Sequence, residues 1–300
     1  MTWLFQALAS AAVLGLYDVF KKRSVNGNAV VPTLFLSVCF GALIWAPWVI
    51  WCAVNGVESA PMKMLQVQDL SWLDHGRLLL KSTIVAISWV FSYFALKHLP
   101  VSVAGGIRAT SPFWTLFGAV VLFAERPSGQ QWLGIVITLI SFVALSFAGR
   151  REGLVFHRDR WVFLMIGATL AGTVSGLYDK YLMGTVGYEA STVQAWFSIY
   201  LVLVMLPMMI GWWRRWWPRG IFVWRWSIPM IGVSLLIADY LYFEALRDEE
   251  ALISIVSCLR RGGVLVSFAA GYILFKERNY RAKTPCILGI LLGIVLISLA

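Results

Sequence analysis

The sequence predicts an all-α membrane protein in which ten transmembrane helices form two inverted five-helix repeats. Three observations predict this fold: an apolar composition, ten long apolar runs and a motif that occurs twice. Of the 300 residues, 60% are hydrophobic and 13% are charged, and the mean hydropathy is +0.76. So few charges could not cover the surface of a soluble domain of this length, and the composition therefore indicates a polytopic membrane protein.

Ten apolar runs are long enough to cross a bilayer, which takes a helix of roughly 20 residues. They occupy residues 3–20, 30–54, 78–97, 101–123, 130–148, 161–183, 190–212, 226–246, 250–274 and 284–300. The runs are apolar throughout, whereas barrel strands would alternate, so helices are the structure that satisfies the backbone in lipid. The first run lacks a preceding basic residue, which argues against a signal peptide despite its small residues at 7–12.

The motif Gly-Leu-Tyr-Asp ends the first run and recurs 161 positions later in the sixth. Residues 11–29 align with residues 172–190 without a gap, and residues 105–126 align with residues 256–278. Such internal repetition predicts a tandem duplication, with units at about 1–149 and 153–300. Because each unit has five spans, the two units would insert in opposite directions, as in many secondary transporters.

These features resemble the drug/metabolite transporter superfamily in its EamA-type ten-helix branch, and each unit then corresponds to one EamA-like repeat. The resemblance is carried by "LFAER" and "LFKER" at two run ends, by "LPVSVAGGIRATSP" before the fourth run, and by the glycine-rich fifth and tenth runs. It implies that helices one to four and six to nine surround a central cavity, with helices five and ten peripheral. We expect a multi-pass protein of the bacterial inner membrane.

Basic residues cluster at the ends of the runs, which is typical of membrane orientation and anionic lipid headgroups rather than of nucleic-acid binding. Sorted by connecting segment, 16 of the 25 lysines and arginines fall on one side and six, including Lys81, on the other. This bias predicts that the first side is cytoplasmic and that both termini lie outside. The resemblance implies termini inside, so the orientation stays open.

Three arginines, Arg108, Arg260 and Arg261, lie inside apolar runs. Arg108 is about 10 Å along its helix and the other two are about 14–15 Å along theirs. A mid-membrane arginine costs at least about 2.5 kcal/mol, so it faces a cavity or an acidic partner. Arginine suits the capture of phosphate or carboxylate, which predicts an anion site, with an internal ion pair as the alternative. The resemblance favours the anion site, because basic residues on helices four and nine hold the phosphate in the plastid phosphate-translocator branch.

Two acidic residues inside the eighth run, Asp239 and Glu244, are further candidates. Each could pair with an arginine, bind a substrate amine or carry a coupling proton, since desolvation favours a neutral carboxyl. Aromatic residues on the third and eighth runs, among them Trp89 and Tyr242, are candidates to line the cavity, with ordinary packing as the alternative.

The repeated motif supplies four candidate gate or coupling residues, Tyr17, Asp18, Tyr178 and Asp179. Asp18 has lysines at i+3 and i+4 on its own helix face, whereas Asp179 has leucine and methionine there. Asp179 therefore needs a partner on another helix or in the cavity. The alternative for both aspartates is a helix-end carboxylate that reaches interfacial water.

Other polar groups predict neither a metal centre nor a cofactor. The four cysteines have no paired spacing, the three histidines are scattered, and no phosphate-binding glycine loop indicates use of ATP. Glu125 and Glu277, each 17 residues after an arginine, are interpreted as structural. The spacing Gly289-xxx-Gly293 permits close helix contact, either within the chain or in a homodimer.

The sequence as a whole favours a secondary active transporter that is not an enzyme. It would move a small polar metabolite, anionic through a phosphate or carboxylate, by alternating access, with proton coupling or exchange left open. Three alternatives remain: an exporter of amines, amino acids or hydrophobic cations, a membrane-embedded enzyme acting on a lipid-linked phosphate, and a non-transporting receptor or scaffold. The enzyme alternative lacks a nucleophile–base arrangement and a metal-binding carboxylate cluster in this sequence, and uptake or counterflow in liposomes would exclude the receptor or scaffold.

Overall fold

The computed structural model of the chain is a bundle of α-helices. It describes residues 2–98, 107–108, 110–147, 160–216, 220–263, 265–266, 269 and 280–299. Helices with defined bounds in this part of the chain are α1 Thr2–Val25, α2 Val30–Asn55, α3 Trp72–His98, α4 Ser111–Phe123, α5 Gly129–Phe147, α6 Arg160–Lys180, α7 Ala190–Trp213, α8 Ser227–Arg247, α9 Ile253–Arg260 and α10 Tyr280–Ser298. The all-helical prediction is confirmed for these residues. The predicted unit boundary and Glu277 lie outside them.

Five helices are long and apolar enough to cross a membrane. They are Thr2–Val25, Val30–Asn55, Arg160–Thr185 (α6 with a π turn at its end), Ala190–Trp213 and Ser227–Arg247. Ser111–Phe123 and Thr284–Ile297 are shorter apolar helices. The chain is therefore an integral, multi-pass membrane protein, and the count of ten spanning helices stays a prediction.

Hydrogen bonds between connecting segments define two ends of the bundle. At the basic end, which carries connections 26–29 and 214–226, the Ala29 N–H donates to the Ile221 carbonyl at 3.0 Å. At the other end, which we call the Tyr188 end, the Gln68 N–H donates to the Thr192 hydroxyl at 3.0 Å. The Tyr188 end carries connections 56–71, 124–128, 186–189 and 248–252.

Helices from the two halves of the chain pack against each other. α1 packs on α8, α3 on α6, α2 on α7 and α5 on α10, while α4 contacts both α6 and α9. Glycines permit the closest approaches: a Cβ on Gly15 would lie 2.5 Å from the Gly263 carbonyl, and one on Gly293 would lie 2.1 Å from the Thr138 hydroxyl. Gly293 is therefore used between α10 and α5 inside the chain, and a homodimer stays a prediction without that contact.

Candidate substrate cavity

A polar cavity of about 260 Å³ lies among α1, α3, α4, α6, α7, α8 and α9. Its volume is close to the lower end of the range of about 300–1,000 Å³ that is usual for small-molecule sites. Nine of the predicted site residues line it: Tyr17, Asp18, Trp89, Arg108, Asp179, Asp239, Tyr242, Arg260 and Arg261. Of the eleven candidates, all of them in the described part of the chain, Glu244 and Tyr178 do not line it. The fold thus brings distant candidates from both halves to one place.

Arg260, the last residue of α9, forms an ion pair with Asp239 of α8. Its Nε also donates to the Ser10 hydroxyl at 3.3 Å, and its guanidinium lies 3.9 Å from the centre of the Tyr242 ring. Ser10 in turn donates to the Ala238 carbonyl at 2.7 Å. For Arg260, the internal ion pair that the sequence left as an alternative is therefore present, and it ties α9 to α1 and α8.

Arg261 has a different environment from its neighbour. Its Nη2 donates to the Ser111 hydroxyl at 2.9 Å, at the first residue of α4. Within the described residues, no carboxylate lies at ion-pair distance from Arg261. Arg108 lines the same cavity and is exposed. Two of the three arginines, Arg108 and Arg261, therefore reach the cavity with no carboxylate of the described residues at ion-pair distance.

Lys81 is a cavity residue that the sequence placed wrongly. The sequence analysis counted it among the basic residues of a connecting segment. In the structure it is the tenth residue of α3 and only 2% exposed. It forms an ion pair with Asp179 of α6, and its Nζ lies 4.3 Å and 4.8 Å from the ring centres of Phe197 and Phe243. Asp179 thus has its partner on another helix, as expected, and its 5% exposure excludes the interfacial-water alternative for it.

The two copies of the repeated motif occupy different environments. In the first copy, Asp18 is exposed and Tyr17 is buried, with the Lys21 Nζ 5.5 Å from the centre of its ring. In the second copy, Tyr178 lies outside the cavity and stacks on Tyr181 with ring centres 5.8 Å apart. Repetition of sequence therefore does not extend to repetition of these side-chain contacts.

Ion pairs and hydrogen bonds join the connections at the Tyr188 end, and Asp74, Tyr188, Glu189 and Arg247, which make them, do not line the cavity. There Arg247 pairs with Glu189 through two hydrogen bonds of 2.5 and 2.8 Å, and it also lies 3.7 Å from Glu244. Tyr188 donates to Asp74, which lies before the apolar run of α3 begins. This hydrogen bond is the main reason that the pKa of Asp74 falls to about 2, while burial raises the pKa of Tyr188 and keeps its phenol a donor.

The cavity has an excess of positive charge. In the described part of the chain, its lining includes five basic side chains and three acidic ones, an excess of two charges: Lys21, Lys81, Arg108, Arg260 and Arg261 against Asp18, Asp179 and Asp239. Two of the three acids are already engaged by Lys81 and Arg260. The arrangement can therefore accept a negatively charged ligand next to Arg261.

Known proteins resemble the chain in sequence and in fold. Residues 1–147 match the model of the EamA-like transporter family. A "Probable sugar phosphate/phosphate translocator" from Arabidopsis thaliana is 26% identical over 158 residues, which cover 51% of this chain and 47% of that protein. The chain thus spans about half the length of this curated relative.

The fold also has a match among solved structures. One chain, described only as a crystal structure of a protein, has a TM-score of 0.70 over 99% of this chain and 95% of its own length. Its identity is 15%, so it shows the fold alone. Residues 1–147 thus match an EamA-like transporter domain, and this match together with the translocator relative is consistent with the drug/metabolite transporter superfamily.

Proposed function

We propose that the chain is a secondary active transporter of a small anionic metabolite that bears a phosphate or a carboxylate. The observation that carries this proposal is the environment of Arg261, which lines the cavity with a hydroxyl as its partner while Arg260 beside it has a carboxylate. An anion would supply the missing negative charge, and a guanidinium can hold it with two parallel hydrogen bonds. Arg108 lines the same cavity and would add a second cation.

Two further observations support an anionic substrate over an amine. The Arabidopsis relative is named for sugar phosphate and phosphate, which are anions. In the cavity, Asp239 and Asp179 are paired with Arg260 and Lys81, so an amine would have to displace an internal cation from either of them. Glu244, the other predicted amine partner, does not line the cavity.

We further propose that the two halves are inverted repeats that alternate access to this cavity. If the halves are repeats, α1 corresponds to α6, α2 to α7, and so on to α5 and α10. A symmetric bundle then pairs each contact with an equivalent one: α1–α8 with α6–α3, α4–α6 with α9–α1, and α2–α8 with α7–α3. The bundle contains each of these contacts, and α2–α7, α4–α9 and α5–α10 map onto themselves. The most extensive helix contacts therefore form the set that a twofold relation between the halves would produce, which supports rocking of one group of helices against the other.

A ligand screen of the purified protein tests the substrate class. Phosphates, carboxylates, zwitterions and amines would each be added while the thermal unfolding of the protein is followed. A ligand at 100 times its Kd should add about 2.7 kcal/mol of stability. We expect stabilisation by anions, its loss in Arg261→Gln, and its retention in Arg214→Gln, which changes an exposed arginine outside the cavity.

Flux through liposomes separates transport from chemistry. We expect the stabilising anion to cross the membrane unchanged when the protein is present. Stabilisation by amines alone would contradict the anion site, and conversion of the ligand to a product would favour the membrane-enzyme alternative.

A further inference from the structure

Glu125 lies two residues past the end of α4 and is 7% exposed. Its carboxylate accepts three hydrogen bonds from the first turn of α9. The Ile253 N–H donates to Oε1 at 2.6 Å, while the Ser254 N–H and hydroxyl donate to Oε2 at 3.1 and 2.6 Å. A buried acid from one half of the chain thus caps a helix in the other half.

This cap matters because α9 has little else to fix where it begins. The helix has eight residues, and no side-chain hydrogen bond comes from its own N-cap residue, Leu252. A helix this short is marginal alone, and its first N–H groups have no partner within the helix. A carboxylate at this position satisfies those groups and interacts favourably with the helix dipole. Lys180 holds the preceding connection by donating to the Ala251 carbonyl at 2.6 Å.

The helix that Glu125 caps carries both arginines of the cavity. Arg260 ends α9 and Arg261 follows it, about 12 Å along the helix from Ile253. Arg261 donates to Ser111, the first residue of α4, whereas Glu125 follows the last turn of α4. α4 and the residue that follows it therefore contact both ends of α9. A shift of the first turn of α9 would also move the guanidinium groups at its other end.

We propose that Glu125 is a positioning residue for the anion site, because it fixes where α9 begins and hence where Arg261 lies in the cavity. This inference rests on the proposed function, since it assumes that an anion binds at Arg261. It concerns a residue that does not line the cavity and that touches no substrate.

Long-range electrostatics and a positioning role predict opposite effects of Glu125→Gln on the affinity of the cavity for an anion. Replacing Glu125 by glutamine removes a negative charge, which by Coulomb's law alone should strengthen the binding of an anion to the cavity. The amide of glutamine also replaces one of the two accepting oxygens by an NH₂ group, which then faces a backbone N–H donor, so that the cap loses an acceptor. If Glu125 positions α9, the anion should bind more weakly.

The test measures the Kd of inorganic phosphate for purified wild-type protein and for two charge-matched variants. We expect Glu125→Gln to bind phosphate about tenfold more weakly, as the loss of a hydrogen bond to a charged group would produce. Glu249→Gln removes the same charge from an exposed site in the connection before α9, and should bind as the wild type does. Tighter or unchanged binding by Glu125→Gln would overturn the proposal.

The buried Cys258 on α9 gives a second readout that needs no ligand. With the other three cysteines replaced, its labelling by a maleimide should be faster in Glu125→Gln than in Glu249→Gln. If the wild type binds no phosphate, the phosphate form of the proposed function fails, yet equal labelling rates would still overturn the positioning role. If Glu125→Gln does not fold, Ser254→Ala removes one hydrogen bond at constant charge, and unchanged phosphate binding there would reject the proposal.

Discussion

At the scale of single residues, the cavity holds charges that a membrane protein tolerates only with partners. Lys81 and Asp179 are almost fully buried and neutralise each other, with two phenylalanine rings over the ammonium group. Arg260 is neutralised by Asp239 in the same way. Among the described residues, Arg261 differs from these two cations because its hydrogen-bond partner is a hydroxyl, and this difference is the basis of the proposed anion site.

The Lys81–Asp179 pair gives a stability prediction. Asp179→Asn leaves a buried ammonium without its counter-charge, which should lower the free energy of unfolding by about 3–5 kcal/mol. The double variant Lys81→Met, Asp179→Asn removes both charges. Its free energy of unfolding should fall by less than that of either single variant, Lys81→Met or Asp179→Asn. Chemical unfolding of the three variants in detergent measures the differences.

Glu244→Gln is the matched control for that pair. Glu244 is half-buried and lies 3.7 Å from Arg247, so its loss should cost less than about 1 kcal/mol. Additive losses in the double variant would mean that the two groups do not stabilise each other, and the ion pair would then have no energetic role.

The sequence predicted part of this site and missed part of it for identifiable reasons. Arg261 and Asp179 stand out because a charge inside an apolar run is costly. Lys81 did not stand out, because it falls four residues into a run that follows Arg77, where a long lysine can reach interfacial water. Its partner lies on a helix 98 positions away, and no local pattern indicates that contact.

At the scale of the helices, the apolar runs predicted most bounds to within a few residues because lipid requires continuous helices. They could not predict that α9 would be bounded after eight residues at Arg260, since the apolar run continues to residue 274. They also could not predict which glycines make contacts. Gly15 and Gly263 meet because α1 packs on the segment after α9, and this depends on the tertiary arrangement.

The α1 contact of this segment can be tested with one methyl group. A Cβ on Gly263 would lie 2.5 Å from the Ala11 carbonyl and 3.1 Å from the Gly15 nitrogen, both of them backbone atoms. Gly263→Ala should therefore lower stability by about 1–3 kcal/mol through overpacking. Thermal unfolding would measure this loss, and it would also show whether phosphate still stabilises the variant.

Gly76→Ala is the comparison for this change. A Cβ at Gly76 would have no heavy atom within 4 Å, and the residue lies in the first turns of α3. Alanine favours a helix over glycine, so this variant should unfold at the same temperature as the wild type or slightly higher. Equal stability of Gly263→Ala and Gly76→Ala would refute the close contact.

At the scale of the whole molecule, the charged contacts of the cavity join two separate groups of helices. Lys81 and Asp179 join α3 to α6, whereas Arg260, Asp239 and Ser10 join α9, α8 and α1. The hydrogen bond from Arg261 to α4 runs between helices of different halves beside the cavity. If alternating access moves these groups as units, the internal ion pairs would persist while contacts at the two ends of the bundle exchange.

If these groups of helices move as units, the contacts that join connections at the Tyr188 end are the ones whose loss should shift the conformational equilibrium. Arg247→Gln breaks the two hydrogen bonds to Glu189, in a pair whose side chains are 31% and 29% exposed. Such a partly exposed pair contributes about 1 kcal/mol, so the population open at this end should rise roughly fivefold. Spin labels at Glu58 and Glu249, both exposed at the Tyr188 end, would report a longer distance in that population. Arg215→Gln at the basic end keeps Glu189 paired and should leave the distance between the labels unchanged. Identical distance distributions for the two variants would mean that the Arg247–Glu189 pair does not hold the Tyr188 end closed.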